Sequence, residues 1–462
     1  MLLPRVDAGS LMKTFLDWSA YDTYGIGDAY SGIPATGGNY AKAVAVCMHS
    51  RDCQKTGRGV MCPSFRVIGE ARHSTEARVA AFKAALNEGA GAKAFADPRL
   101  DAAMDLCVSC KACKKECPSA VDMTLIKTEY LAQRHEIHPP SLRLRLFGEV
   151  PVWLARHGAA VRLAIKVHNR LPALAKLVER WIGVTARRPM PEPAAKPFAA
   201  KPQSVPATGE RRAVVLFVDT FCHHFEPEIA EAAIAVLEHA GYALRIARPA
   251  PDDAEPERPL CCGRTYLTTG LVEKARGEAK RVLAAFQDEI AAKTPIIGLE
   301  PSCLLSLRDE LYSLGLGPQV GELGKQLYLL EEFLAREHQN NGLRMKLKGP
   351  EAPAALVHGH CHQKAFGAMK ALRKVLGWIP GYSFDVVESS CCGMAGSFGL
   401  EAEHYEISMR MVELSLLPAL RAAPQAALIA NGFSCRHQIE HGSGRKARHV
   451  ALVLRDALAM EG

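Results

Sequence analysis

The sequence predicts an α+β protein of several domains, with a mainly helical, cysteine-rich front part and a duplicated α/β rear part built on parallel sheets. Three observations predict it. Seven of the 15 cysteines crowd between Cys47 and Cys117, and the rest fall in paired arrangements after residue 220. Past a Pro/Ala-rich stretch the pattern changes to short apolar runs alternating with helical ones, the signature of parallel strands flanked by helices. The later cysteines occupy matching points in two successive strand–helix sets, so the rear part reads as a duplication.

Taken in order, residues 1–40 are rich in Gly, Tyr and Asp without clear periodicity and read as an N-terminal arm. Residues 41–135 hold the first seven cysteines, between helical stretches such as TEARVAAFKAALNE. Residues 136–190 form a basic helical connector, in which Glu149 and Glu179 are the only acids between Ser141 and Arg188. It reads as a solvated connector, or as a docking surface for an acidic protein or for an anionic membrane in peripheral contact. Nucleic acid is a poor partner, because no recognition motif accompanies the charge. Residues 191–211 fit a semi-rigid Pro/Ala linker. The first repeat, 212–345, has strands at AVVLFV, YALRIA and PIIGL; the second, 352–462, has them at AALVH, FDVVES and AALIA. No run of eighteen apolar residues and no signal-peptide pattern is present. The expected location is therefore cytoplasmic, with the inner face of the membrane as the variant. In a reducing compartment the cysteines are metal ligands or redox groups rather than disulfides.

Cys107-x2-Cys110-x2-Cys113-x3-Cys117-Pro118 is the bacterial ferredoxin spacing, whose fourth cysteine serves the other of two clusters. Upstream, Cys62-Pro63 matches the end of such a run, and Cys47 and Cys53 have the separation of its first and third cysteines, with Ser50 at the vacant middle position. Crossing over, Cys62, Cys107, Cys110 and Cys113 complete a 4Fe-4S cluster. Cys47, Cys53 and Cys117 make a second site, for a 3Fe-4S or second 4Fe-4S cluster. His49 and His73 are the candidate replacement ligands there, and Lys111, Lys114, Lys115 and Arg51 could offset cluster charge. A structural zinc at the first site remains an alternative, as does loss of the second cluster.

Two quartets follow: Cys222, Cys261, Cys262 and Cys303, then Cys361, Cys391, Cys392 and Cys435. Each cysteine comes after a predicted strand, at the carboxyl edge where α/β sheets place ligands. Adjacent cysteines suit different irons of one cluster better than one tetrahedral zinc. The glycine after each pair would let backbone approach the cluster closely. Buried core pairs are the alternative, more so for the first quartet. His358, His360 and His362 flank the second and could donate to substrate or sulfur.

With VMCPSFRV, LCVSCKACKKECPSAVDM, DTFCHHFEPEIAEAA, LCCGRTY, GLEPSCLLSLRDE, HGHCHQK, SCCGMAGSFGLEAEHYEISM and NGFSCRHQI in view, the chain resembles the iron–sulfur half of FAD-linked D-2-hydroxyacid dehydrogenases, those of D-lactate and D-2-hydroxyglutarate. It is more distantly similar to the iron–sulfur subunits of glycolate oxidase and anaerobic glycerol-3-phosphate dehydrogenase and to the CCG domains of heterodisulfide reductase. The resemblance implies a two-cluster ferredoxin-like domain followed by a duplicated α/β CCG domain. It also implies an electron-transfer subunit taking electrons from FAD on a partner dehydrogenase chain and passing them to a quinone, a cytochrome or an electron-transfer flavoprotein. The alternative is a CCG protein that reduces a disulfide or quinone itself. The arm around FLDWSAYDTYG looks like the junction after a flavin domain, and no G-x-G-x-x-G follows a strand. Glu300 and Gly432 replace a cysteine of the heterodisulfide-reductase C-x2-C pattern, which puts noncubane clusters in doubt. In related iron–sulfur subunits, a run lacking its middle cysteine holds a three-iron cluster. No catalytic residue is identified.

Overall fold

Short apolar runs form the strands, all largely buried except Ser383–Val386. β1 (Ala213–Phe217), β2 (Ala243–Ile246), β3 (Ile296–Gly298) and β4 (Leu327–Leu329) make one parallel sheet in the order β2-β1-β3-β4. β5 (Ala354–His358), β6 (Ser383–Val386) and β7 (Ala427–Ala430) make a second in the order β6-β5-β7. In each sheet the first strand is central, the second lies on one side and the third on the other. Where β4 would recur, the second sheet has a single parallel bridge, Ile429 to Arg448. β4 is not anticipated because GKQLYLLEEFLAREH reads as one continuous helix.

The computed structural model describes residues 12–25, 32–34, 36–57, 59–89, 91–200, 212–349 and 354–459. It is a mainly helical α/β protein with two parallel sheets, as expected. The two sheets share a core, since helices Pro227–His239 and Val450–Asp456 belong to different halves yet bury Ala230, Ala233 and Val236 in one cluster with Ala451 and Leu454. The small residues allow close approach, and their burial removes apolar surface from water at about 25 cal/mol per Å2.

In front, helices Gly38–Ala45, Thr75–Glu88 and Met123–Ile137 enclose an aromatic core. Tyr40, Phe82 and Tyr130 meet edge-to-face, with ring centroids 6.1 and 5.7 Å apart, the arrangement ring quadrupoles favour. Ser74 and Asp122 cap two of these helices by accepting from Ala77 and Leu125 N–H groups. The described part of the arm is tied down. Buried Glu129 accepts from the Phe15 and Leu16 N–H groups and the Trp18 indole. Arg276 donates to the Phe15 carbonyl and Asp17 N–H to the Ser313 carbonyl, so this segment straps the front part to the first repeat. Residues 1–11, 26–31 and 35 of the arm lie outside the described residues.

The basic connector is helical: Leu142–Gly148, Val150–Arg170 with a kink at His157, and Pro172–Ile182. Residues 191–200 do not stand free. Ala194 and Phe198 donate backbone hydrogen bonds to the His224 and His223 carbonyls, and Phe198 is buried. The rest of the Pro/Ala stretch, 201–211, lies outside the described residues. Among those described, no helix is long and apolar enough to cross a membrane.

Candidate metal centres

The ferredoxin-pattern loops are tightly wound. His49, Arg51, Cys62, Ser109 and Lys111 all have left-handed φ, from 47 to 62°, a conformation costing non-glycine residues roughly 1 kcal/mol or more each. Such strain persists where surroundings over-determine it. The sulfurs meet the start of the helix Thr75–Glu88: Thr75 N–H lies 3.1 Å from Cys62 Sγ, and Glu76 N–H 3.4 Å from Cys53 Sγ. Cys47 lies within electrostatic reach of both Cys53 and Cys117, Cys62 of Cys113, and Cys107, Cys110 and Cys113 of one another. Cys53 and Cys62 also share a hydrogen bond, which holds Cys53 down to about 6. Burial, then Asp122, pushes Cys113 up to about 12. Buried sulfurs in sets, met by backbone N–H donors, fit thiolate-bound iron–sulfur clusters.

The candidate fourth ligands separate. His49 is exposed and bound to Glu76, 3.1 Å away, beside Cys53. His73 is buried beside Arg72, and its Nδ1 has no partner among the described residues. Ser50 is exposed. Three of the cations expected to balance the clusters also have carboxylate partners: Lys111 and Lys114 bind Asp122 and Asp309, and Arg51 binds Glu76. Lys111 still acts on Cys113, pulling its thiol down against burial and Asp122. Lys115 stays exposed.

Seven of the eight quartet cysteines line one cavity of ≈ 490 Å3. Cys107 enters it from the front part, Cys261, Cys262 and Cys303 from the first repeat, and Cys361, Cys391, Cys392 and Cys435 from the second. Cys222 does not line it; its N–H instead donates to buried Asp219 at 3.1 Å. A narrow cleft joins Cys110 to Cys361 and Cys391. The loop carrying Cys107 and Cys110 therefore faces the second quartet directly.

The glycines of the CCG motifs serve a different close approach from the one expected. Gly263 and Gly393 have φ 75° and 88°, and a Cβ on either would press on the backbone of the following helix, at the Ala275 and Ser408 carbonyls. Their N–H groups lie 3.4 Å from the Cys261 and Cys391 sulfurs.

Electrostatically the quartets differ. In the first, all four thiols are raised. Burial, then Asp219, pushes Cys222 well up; a hydrogen bond to Cys262 pulls Cys303 down, but burial and the Asp219 and Glu300 carboxylates win and it stands at about 12. A hydrogen bond with Cys262, then burial, raises Cys261, and Cys262 itself is raised by Cys303 and burial against its bond to Cys261. In the second, shared hydrogen bonds hold Cys361 and Cys392 below the ordinary thiol range, with help from the histidines, and push their partners Cys391 and Cys435 above it. His358 lies with Cys392 and Cys435, and His360 and His362 with Cys361, each within 4.8 Å. Sequence reasoning missed Arg188, Asp219 and Arg264 as neighbours of the quartets. Asp219 and Arg264 lie inside DTFCHHFEPEIAEAA and LCCGRTY, as Lys364 does inside HGHCHQK; Arg188 carried no signal.

Residues 43–121 match the 4Fe-4S dicluster domain. The chain is 24% identical over 363 residues to the D-2-hydroxyglutarate dehydrogenase of Escherichia coli (strain K12), covering 76% of this chain and 34% of that protein. It is 24% identical over 298 residues to a subunit of the anaerobic glycerol-3-phosphate dehydrogenase of the same organism, 64% of this chain and 72% of that one. It is likewise 24% identical over 249 residues to lactate utilization protein A of Bacillus subtilis (strain 168), 52% of this chain and 95% of that one. The chain thus spans about a third of the length of the D-2-hydroxyglutarate dehydrogenase. It is an iron–sulfur electron-transfer protein related to these three.

Proposed function

We propose that this chain is the iron–sulfur subunit of an FAD-linked D-2-hydroxyacid dehydrogenase, taking electrons from reduced flavin on a partner chain and passing them to a downstream acceptor. The observation that supports it is the facing of the Cys107–Cys110 loop and the second quartet across one cavity and its adjoining cleft. Cys62, Cys107, Cys110 and Cys113 would hold one 4Fe-4S cluster, and Cys47, Cys53 and Cys117 a three- or four-iron second. When bound, such clusters supply one-electron transfer. The chain's own part is to bury the sulfurs, aim the Thr75 and Glu76 N–H groups at them, and fix the spacing to the quartets.

The test uses the full chain with D-lactate or D-2-hydroxyglutarate, an electron-accepting dye and added FAD. No turnover and no stoichiometric flavin are expected, while dithionite reduction should bring up low-potential cluster signals. Hydroxyacid oxidation by the chain with its own FAD would overturn the subunit reading. A second reading, direct reduction of a disulfide or quinone in the cavity, draws support from its ≈ 490 Å3 volume. A disulfide or quinone consumed by the dithionite-reduced chain, and spared by Cys361→Ser, would favour it.

The connector provides a docking surface in this proposal. Leu163, Val167, Leu171, Leu177 and Trp181 are exposed, Trp181 at 77%, among Lys166, Arg170, Lys176 and Arg180. Flotation with anionic vesicles should fall as salt rises from 0.1 to 1 M, because the Debye length shrinks from about 10 to about 3 Å. Salt-independent flotation, or none, would leave the segment a plain connector.

A further inference from the structure

Among the described residues, two cations beside the second quartet have no carboxylate partner. Arg188 is 2% exposed. Its guanidinium meets the Met394 and Met409 sulfurs and, at 3.5 Å, the Ser408 hydroxyl. It stands 5.4 Å from the Tyr405 ring centroid, and its Nε has no partner. The strand pairing that carries it inward, Val184 with Glu401 and Thr185 N–H with the Leu400 carbonyl, leaves no room for a side chain at Gly399, where a Cβ would sit 2.8 Å from Nη1. Lys364 is partly buried and, among the described residues, donates to neutral oxygens, the Ser389 carbonyl and hydroxyl and the Ser390 carbonyl. Both cations flank the Cys391–Cys392 loop, Arg188 at Met394 and Lys364 at Ser389. Buried His358 Nε2 and His362 Nε2 are also unpartnered.

A buried cation needs a compensating anion. The first quartet shows the converse. Asp219 is buried beside Cys222, buried Glu300 lies between the two quartets and accepts from the Phe433 N–H, and the neighbouring arginines are taken: Arg436 by Glu226, Arg258 by Glu278, Arg264 by Glu310. An anion added there would meet carboxylates.

We propose that Cys361, Cys391, Cys392 and Cys435 hold a net-anionic, thiolate-bound iron–sulfur group whose charge is balanced by Arg188 and Lys364, and that the first quartet holds none. The proposal deepens the electron-transfer reading and rests on it. As thiols become ligands their protons leave to solvent, and the charge that remains faces Arg188 and Lys364.

The test reconstitutes the full chain anaerobically with ferrous iron and sulfide, then measures iron, zinc and acid-labile sulfide per chain together with EPR. Cys391→Ser should lower iron and sulfide by roughly a third, one group of three, while the signals that Cys110→Ser removes persist. Cys262→Ser should leave both contents unchanged. Arg188→Met should lower the midpoint potential of the Cys391-dependent signal or its occupancy, and Arg188→Lys should keep both. Unchanged iron in Cys391→Ser, equal loss in Cys262→Ser, or zinc without sulfide would each overturn the proposal. Should Cys391→Ser fail to fold, Cys435→Ala is read against the same outcomes. If Cys110→Ser too leaves iron and spectrum unchanged, the electron-transfer reading itself falls.

Discussion

Lys111→Met should cost about 3 kcal/mol and loosen the front part from the first repeat. Lys111 has no exposed surface; its ammonium lies 3.0 Å from Asp122, 2.7 Å from Asp309 and 3.4 Å from Glu310. Removing one member of a buried ionic set costs about 3–5 kcal/mol, because the others keep their charge without its partner. The low end applies here, since Lys114 still serves Asp122 and Asp309 and Arg264 still serves Glu310. Asp309 and Glu310 belong to the first repeat, so the set clamps that repeat to the turn between Cys110 and Cys113. Burial alone would raise Glu310, but Lys111 and Arg264 outweigh it and hold the carboxyl at about 2; Asp122 is depressed for the same reason. Depressed carboxylates give stability that is present above the unfolded value of about 4 and lost as pH falls through the folded one. The wild-type chain should therefore weaken between about pH 4 and 2, and Lys111→Met less steeply. Urea unfolding at pH 7 and along that range, read at the first transition, checks both. A loss below about 1 kcal/mol at pH 7 would show that the clamp carries no net stability.

What the sequence made legible was what periodicity and spacing encode. The AALVH run became β5 over the same residues, because a short branched run buried on both faces has few alternatives. The matched order of strands and cysteines foretold two sheets wound alike. β4 escaped because three residues within a helical pattern become a strand only when β3 offers them an edge. Cys222 looked equivalent to Cys361, yet it points away from the cavity, and the positions before them differ in kind: Asp219 stands where the second repeat has His358. Arg188 gave no sign of its surroundings. In the sequence it is one more cation of a basic segment, and only the pairing of 184–185 with 400–401 carries it inside. The convergence of both quartets and the Cys107 loop on one cavity depends on such long-range packing, which no local pattern reports.

Ser50→Cys should convert the second ferredoxin-pattern site from a labile three-iron to a stable four-iron centre. Cys47 and Cys53 are buried and Cys117 is partly buried, so three sulfurs would be available as ligands. The fourth position in the spacing falls to Ser50, which is exposed and whose hydroxyl makes only a 3.4 Å contact with Asp52 N–H. A neutral hydroxyl is a far weaker iron ligand than a thiolate. His49 is the near alternative, but its Nδ1 is engaged by Glu76. A corner iron held by water, Ser50 or His49 at an exposed position would be lost to air, leaving an oxidised-state EPR signal near the free-electron g value in aerobically purified protein. Cysteine at 50 completes C-x2-C-x2-C between the left-handed turns at His49 and Arg51, and a thiol there is as solvent-accessible as the serine it replaces. The three-iron signal should disappear in Ser50→Cys and the iron content rise by roughly one atom per chain. His49→Ala in the wild-type background should leave the three-iron signal intact if water or Ser50 holds the corner, and deepen iron loss if His49 does. An unchanged spectrum and iron content in Ser50→Cys would mean that residue 50 faces no cluster, and Cys47 and Cys53 would then be ligands in a different register or none at all.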